Sequence, residues 1–447
     1  MFLFKLKKMR KITTIIALAA ICLTNIGCDR FLDIQPEGKV IPVTTEDYRQ
    51  VLTSAYSKYP VHKSLVAFRT DELNIDDNGV DFVSYREMAM WKDSNNDPTS
   101  AEFPWVRFYS VNFYVNQIIN EGSKTMKDSP EKNQILAEAY ALRAYLYFDL
   151  VNLYGKPYNS ATASVDRGVP INLEIDLEEV LKPSSVQEVY DQVHADIKKA
   201  EGLMVEQTQA LGANYRFSKT ALLAFEARTA LYEGDWNNAL NYANQVLAVK
   251  GDLSNLNMVN TVPNHYASPE SIMALDNPWD NSIKNLSFVS PELISSYNNA
   301  TDKRFGMYFE KNGSKYKVIK GGSLEFKVSF RTAEQYFIKS EALLKLNKLA
   351  EAKEALLKVM KNRYTPDGYT SVQNAVSSMD SAAFMNFILD ERFREFALEG
   401  QRWFDLRRAN QKKISHTING KEYILQQNDP RYTIEYPMSA KKNNPNL

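Results

Sequence analysis

Apolar residues recur at helical spacing along much of this chain. From Thr45 onward, Tyr48, Val51, Leu52, Ala55 and Tyr56 fall on one helical face. Thr44-Thr45-Glu46-Asp47 supplies a hydroxyl to cap the free amides and places acids at the favourable helix end. A second helix is expected near Pro104–Asn120, and a long one over Glu131–Leu153, where Leu136, Tyr140, Arg143, Ala144, Tyr147, Phe148 and Val151 recur at threes and fours. Gly155 and Pro157 stop it. The pattern resumes over Val186–Leu203, with Ser185 and Glu188 at capping-box spacing.

Two close helix pairs follow. Gly234-Asp235 joins Ser218–Tyr232 to Trp236–Val249, and Asn347-Lys348 joins Ala333–Leu346 to a helix starting at Leu349. Trp236, Ala239, Ala243 and Val246 are spaced by three, four and three, as are Leu349, Ala352, Leu356 and Val359. Small residues at these positions permit close helix contact, so the pairs look like tetratricopeptide units. Their distance along the chain excludes a simple tandem solenoid. Between them, Gly251–Ser329 is rich in Asn, Ser, Gly and Pro, with brief apolar stretches at Ser271–Leu275 and Phe326–Phe330. Asp71–Ser100 reads as turns and loops, Asn374–Asn386 as weakly ordered, Phe387–Leu398 as helix and the end as irregular. The expected fold class is mostly α: a tetratricopeptide-like helical scaffold with irregular loop-rich insertions and short β elements.

Five basic residues, Lys5, Lys7, Lys8, Arg10 and Lys11, precede the apolar run Ile12–Leu23, and Gly27-Cys28 follows it. This resembles a bacterial lipoprotein signal, in which the cysteine is lipidated and the preceding segment removed. As helix the run spans roughly 18 Å, short of the ~30 Å of a bilayer core. The expected division is residues 1–27 as signal and 28–447 as the body. Within the body, 28–250 is an N-terminal helical region, 251–330 a loop-rich insertion and 331–447 a C-terminal helical and irregular region. Removing the signal leaves 49 basic against 54 acidic residues, a net charge near −5. That balance argues against a nucleic-acid partner, which would need a basic surface. Cys28 is then the one remaining cysteine, so no intramolecular disulfide can form.

In order along the chain, several segments resemble the SusD/RagB family. They are Cys28-Asp29-Arg30-Phe31-Leu32-Asp33 with Ile34-Gln35-Pro36; Ala137–Leu150 ending in Leu153-Tyr154-Gly155; and Gly168-Val169-Pro170. Ser185–Tyr190 with Asp196-Ile197, Arg331-Thr332-Ala333-Glu334, Ser340-Glu341-Ala342 and Glu399–Arg408 complete the series. The resemblance implies an outer-membrane lipoprotein of the cell surface, with a tetratricopeptide scaffold and a more variable ligand-binding region. It implies noncatalytic capture of glycan fragments and their delivery to a SusC-like TonB-dependent transporter. The bilayer is then engaged through the acyl chains on Cys28. A peptide-binding import lipoprotein and a surface glycosidase are the alternatives.

Loop aromatics are the candidate ligand platform, because a sugar's C–H face stacks on a ring while neighbouring amides and acids bond its hydroxyls. The candidates are Trp91, Trp279 with Asp280, Tyr297 and Tyr308. Trp105 and Trp236 rank lower because helical patterning explains both. Arg143, Arg402, Asp405 and Arg407 read as scaffold ion pairs or helix-end bonds, since an unpaired buried charge is costly. Asp76, Asp77, Asn78 and Asp81 offer oxygen ligands for a structural calcium, although EF-hand spacing is absent and no cofactor is required. The four histidines form no zinc motif, and adjacent Asp71 and Glu72 do not establish a glycosidase pair.

Overall fold

The computed structural model describes residues 42–447, apart from 80, 94–98 and 176–179. The expected signal and the lipid-bearing Cys28 lie outside the described residues. The longer helices are α1 (Thr45–Ser57), α2 (Trp105–Gln117), α3 (Pro130–Tyr154), α4 (Val186–Leu203), α5 (Lys219–Glu233) and α6 (Trp236–Val249). They continue with α7 (Thr332–Lys345), α8 (Leu349–Lys361), α9 (Pro366–Ser378), α10 (Ser381–Glu395) and α11 (Arg402–Ala409).

Local chemistry sets many of these boundaries. Thr44 and Asp47 close a capping box on α1, and Ser185 and Glu188 close one on α4. Ser129 caps α3, whose first turn carries Pro130, where a missing N–H costs nothing. Gly155 ends that helix for a steric reason: a Cβ there would lie 2.8 Å from the carbonyl oxygen of Val151. Gly234 turns the chain out of α5 at φ +75°, a left-handed conformation that favours glycine, and Asp235 caps α6.

α3 is buried around most of its circumference from Gln134 onward, as a central helix must be. It packs on α4, and α5 on α6, α6 on α7 and α7 on α8. The two tetratricopeptide-like pairs, remote in sequence, are therefore consecutive in space. The segment between them leaves after α6 and returns at α7. Its strands β2 (Ser271–Met273) and β6 (Phe330–Arg331) pair antiparallel across its base. β2 lies within the apolar stretch expected at Ser271–Leu275, and β6 begins at the last residue of the one expected at Phe326–Phe330. The remaining sheets are also two-stranded: β1 (Leu73–Ile75) with β3 (Ser287–Val289), β4 (Phe309–Asn312) with β5 (Lys315–Val318), and β7 (Ile414–Ile418) with β8 (Lys421–Leu425).

Three expectations need correction. Asp71–Ser100 contains β1 and a helix over Phe82–Ala89 rather than turns alone. The segment expected to be weakly ordered falls within α9 and α10, and the irregular end includes the β7–β8 hairpin. α9 buries only Gly368 and Val376, which explains its weak apolar signature.

Buried ion pairs tie the excursion to the C-terminal helices. Arg304 and Arg331 from the excursion, Arg363 after α8, and Glu391 and Glu395 of α10 are fully buried, with Glu270 and Glu399 completing the group. Arg331 donates to Glu399 at 2.8 Å and to Glu395 at 2.7 Å, and Arg363 to Glu270 at 2.7 Å. Charges this far from water are tolerated only when paired. The scaffold reading of the other motif residues holds: Arg143 forks onto Asp196, Arg402 onto Asp71, and Asp405 accepts from Arg392 and Arg408. Arg407 donates instead to the Asn152 and Gly155 carbonyls at the end of α3. Burial without an acid lowers its pKa to about 10.

Candidate functional site

α2 is apolar on two faces. One stripe, Phe108, Val111, Asn112, Val115 and Asn116, is buried against the body. Its amides are used: Asn112 and Asn116 donate to the Asn172 carbonyl at 2.7 and 3.1 Å, alongside the Tyr147 hydroxyl at 2.8 Å. These bonds fix the 170–173 segment beside the helix. The second stripe, Trp105, Tyr109 and Phe113 with Val106, Ser110 and Tyr114, faces a cavity of about 590 Å³. Pro170, Asn172 and Leu181 line it from one side, and Ala440, Asn443, Asn444 and Leu447 from another.

The stripe is held in place from behind. Trp105 meets Tyr154 and Tyr436 edge-on, each at 5.0 Å between ring centroids, and its own helix neighbour Tyr109 at 5.1 Å. Tyr109 donates to the Pro170 carbonyl at 2.8 Å, and burial keeps its phenol neutral by raising its pKa well above the ordinary value. Asn444 donates to the Leu181 carbonyl at 2.8 Å, bracing the opposite wall. Phe113 and Tyr114 are half-buried, and Val106 is 62% exposed. A second cavity of about 560 Å³ adjoins the first and shares Trp105, Val106, Ser110 and Tyr114. Together they form an elongated groove of rings bordered by amides, in the size range of small-ligand sites.

The loop rings expected to form the platform lie inside the protein instead. Trp91 is 1% exposed; its indole donates to the Arg69 carbonyl at 3.1 Å and stacks on His416 at 4.4 Å. It adopts φ +54°, a strained value for so large a residue, which these contacts hold. Trp279 is buried beneath Gly321, where an added Cβ would come within 2.5 Å of the indole. Tyr297 donates to the Arg394 carbonyl at 2.6 Å, and Tyr308 lies under the Lys320 ammonium, 3.9 Å from the ring centroid. Asp280 is half-buried beside Trp279. None of the four rings presents a face to a sugar. Polar neighbours in sequence suggested exposure, but tertiary packing decided otherwise. Trp105, expected to be a packing residue, is indeed packed on Tyr154 and Tyr436 at 8% exposure, and it also lines the groove. The legible signal was a single helix carrying aromatics on two stripes when the core needs only one.

The calcium candidates are also redistributed. Asp77 accepts from the Asn419 amide at 2.6 Å, and Asp76, Asp77 and Asp81 do not converge. Among the described residues, the buried group that does converge is His62, Asp149 and Asp276, with ligand atoms within 4.8 Å of one another. One imidazole and two carboxylates can hold a metal ion, but calcium prefers six to eight oxygens. The Lys63 ammonium donates to Asp276 at 2.8 Å, and the hydroxyls of Tyr59 and Tyr145 donate to Asp149 and Asp276 at 2.7 Å. Lysine thus already supplies positive charge there.

A third cavity, about 470 Å³, lies between α10 and α11. Its cations are committed: Arg402 to Asp71, Arg394 to Glu391, and Lys412 to both Asp71 and Glu292.

Comparison with known proteins follows the same outline. The model of the SusD family matches residues 225–447, and one described as starch-binding, associating with outer membrane, matches 30–231. SusD-like protein P38 of Formosa agariphila is 26% identical, the alignment covering 93% of this chain and 95% of that protein. A SusD superfamily protein from Bacteroides fragilis superposes with a TM-score of 0.75 at 19% identity, covering 91% of this chain and all of the other. A laminarin-binding SusD-like protein superposes with a TM-score of 0.61 at 20% identity, covering 81% of this chain and 91% of its own.

Proposed function

Since this chain belongs to the SusD/RagB family, we propose that it captures glycan fragments at the cell surface without cleaving them, using the outward face of α2. The observation that carries the assignment to α2 is the ring stripe Trp105, Tyr109 and Phe113, with Tyr114, along a groove bordered by asparagine amides. Rings offer flat apolar faces to pyranose C–H groups, and amides both donate to and accept from hydroxyls. The laminarin-binding neighbour of the same fold supports a glycan as the ligand class.

In this reading, Cys28 carries the lipid that holds the body at the outer membrane. No helix among the described residues is long and apolar enough to cross a membrane. A SusC-like TonB-dependent transporter receives the ligand. Tethering both proteins in one membrane raises the local ligand concentration at the transporter, so modest affinity suffices and release is retained.

The test is calorimetry on the full chain, purified in detergent, against laminarin oligosaccharides, other glycans and a peptide library, with reducing-end release assayed in parallel. Phe113→Ala and Tyr114→Ala are expected to weaken glycan binding about 2- to 13-fold each, the range for loss of one aromatic contact. Binding confined to peptides, or turnover that depends on a specific carboxylate, would overturn the proposal.

A further inference from the structure

The groove changes character along its length. Among the described residues, the cavity of about 590 Å³ has no charged side chain in its lining, whereas the adjoining one adds Lys58, Arg107 and Glu102. Resting on the reading of α2 as a glycan-binding face, we propose that the ligand is an oligosaccharide carrying an anionic substituent, a sulfate ester or a uronate carboxylate. Lys58 and Arg107 receive that group while the sugar rings lie along the Trp105–Phe113 stripe.

Arg107 stands apart from the other arginines of the described residues. Each of those has a carboxylate or carbonyl partner, including Arg407, which is bonded to helix-end carbonyls. The Arg107 guanidinium is exposed and has no hydrogen-bond or ion-pair partner among the described residues. Lys58, at the C-terminal end of α1, has no carboxylate partner among the described residues either. Its ammonium bonds the Tyr114 hydroxyl and lies 4.4 Å from that ring's centroid, so cation and platform are joined in one unit. The nearby acid makes no ion pair with either cation: both Glu102 oxygens accept from Ser439, at 2.5 Å from its hydroxyl and 3.3 Å from its amide, and its single charge leaves the pair of cations in excess. The mouth of the groove therefore holds two cations without an acid partner, where every other arginine among the described residues is paired. A guanidinium matches the planar or tetrahedral oxygens of carboxylate and sulfate.

The experiment compares one oligosaccharide backbone in three forms, unsubstituted, sulfated and oxidised to the uronate, by calorimetry with the full chain at 50 and 300 mM NaCl. The expected result is at least about 10-fold tighter binding of one or both anionic forms at low salt, with the advantage shrinking as salt screens the charges. Which form gains distinguishes sulfate from carboxylate. Arg107→Gln, and Lys58→Gln with Arg107→Gln, are expected to cut the ratio of anionic to neutral affinity about 10-fold, with folding checked by thermal melts. Equal binding of all three forms would overturn this inference and leave glycan capture standing. Binding of none, with peptides bound instead, would overturn glycan capture itself. A preference for the anionic forms that survives both variants would overturn the assignment to Lys58 and Arg107.

Discussion

Glu395→Gln isolates the charge network in the interior. The Glu395 carboxylate accepts from Arg331 at 2.7 Å, from Arg363 at 2.8 to 3.0 Å and from Arg304 at 3.1 Å, and all four side chains are fully buried. Glutamine keeps the shape, so no cavity opens, but it removes the negative charge and turns an amide N–H toward a guanidinium. Breaking a buried pair from one side costs about 3–5 kcal/mol, because the remaining charge is stranded. Here Glu270, Glu391 and Glu399 still contact the same arginines, so a loss of about 3–5 kcal/mol is expected rather than three times that. Set against a typical domain stability of about 5–15 kcal/mol, this brings the protein close to unfolding. Urea unfolding followed by circular dichroism measures it. The three guanidiniums hold the Glu395 pKa well below its ordinary 4.5. The stability it contributes is present above the unfolded-state value and lost as pH falls through the folded one. The gap between wild type and variant should therefore narrow in acid. A difference under about 1 kcal/mol at neutral pH, or a gap that widens in acid, would refute the reasoning.

Burial and the neighbouring charge of Glu201 push the pKa of Glu226 in α5 up to about 8. The protonated form suits the fold, so the cost is absent below about 4.5 and grows as pH rises toward 8. Glu226→Gln should therefore raise the melting temperature at pH 8, removing a penalty of up to roughly 4 kcal/mol, and change little near pH 4; equal shifts at both pH values would contradict this. Trp91→Ala should cost about 3–5 kcal/mol in unfolding experiments while leaving ligand affinity unchanged, since the indole is buried on His416. Weakened ligand binding by a fully folded Trp91→Ala protein would return that residue to the site.

The helical frame was legible because its cause is local. Periodicity marked α1 and α3 through α8, and the Thr44 and Ser185 caps lie where hydroxyl and acid stand three apart. Those segments must bury a stripe, and a stripe is visible in sequence. α9 was obscured because its burial is thin, and the Phe82–Ala89 helix because turn-forming residues crowd it. The ligand platform was harder to see. Trp91, Trp279, Tyr297 and Tyr308 sit among polar residues in sequence, yet the first three are covered by segments far along the chain and Tyr308 by Lys320 of the neighbouring hairpin end. The resemblance motifs mark architecture: Arg331 of one meets Glu399 of another, Glu341 meets Arg408, and Arg143 meets Asp196.

The β2–β6 pairing closes residues 274–329 of the long excursion into a loop, while α6 and α7 rest directly on each other. Such a segment behaves as an interchangeable cartridge: doubling its length adds only about 0.6 kcal/mol of closure entropy, and the stacked helices keep their neighbours. Recombination or engineering can thus exchange it for another while leaving the α2 groove intact, provided Glu270, Arg304 and Arg331 are carried across to meet the arginine and glutamates awaiting them.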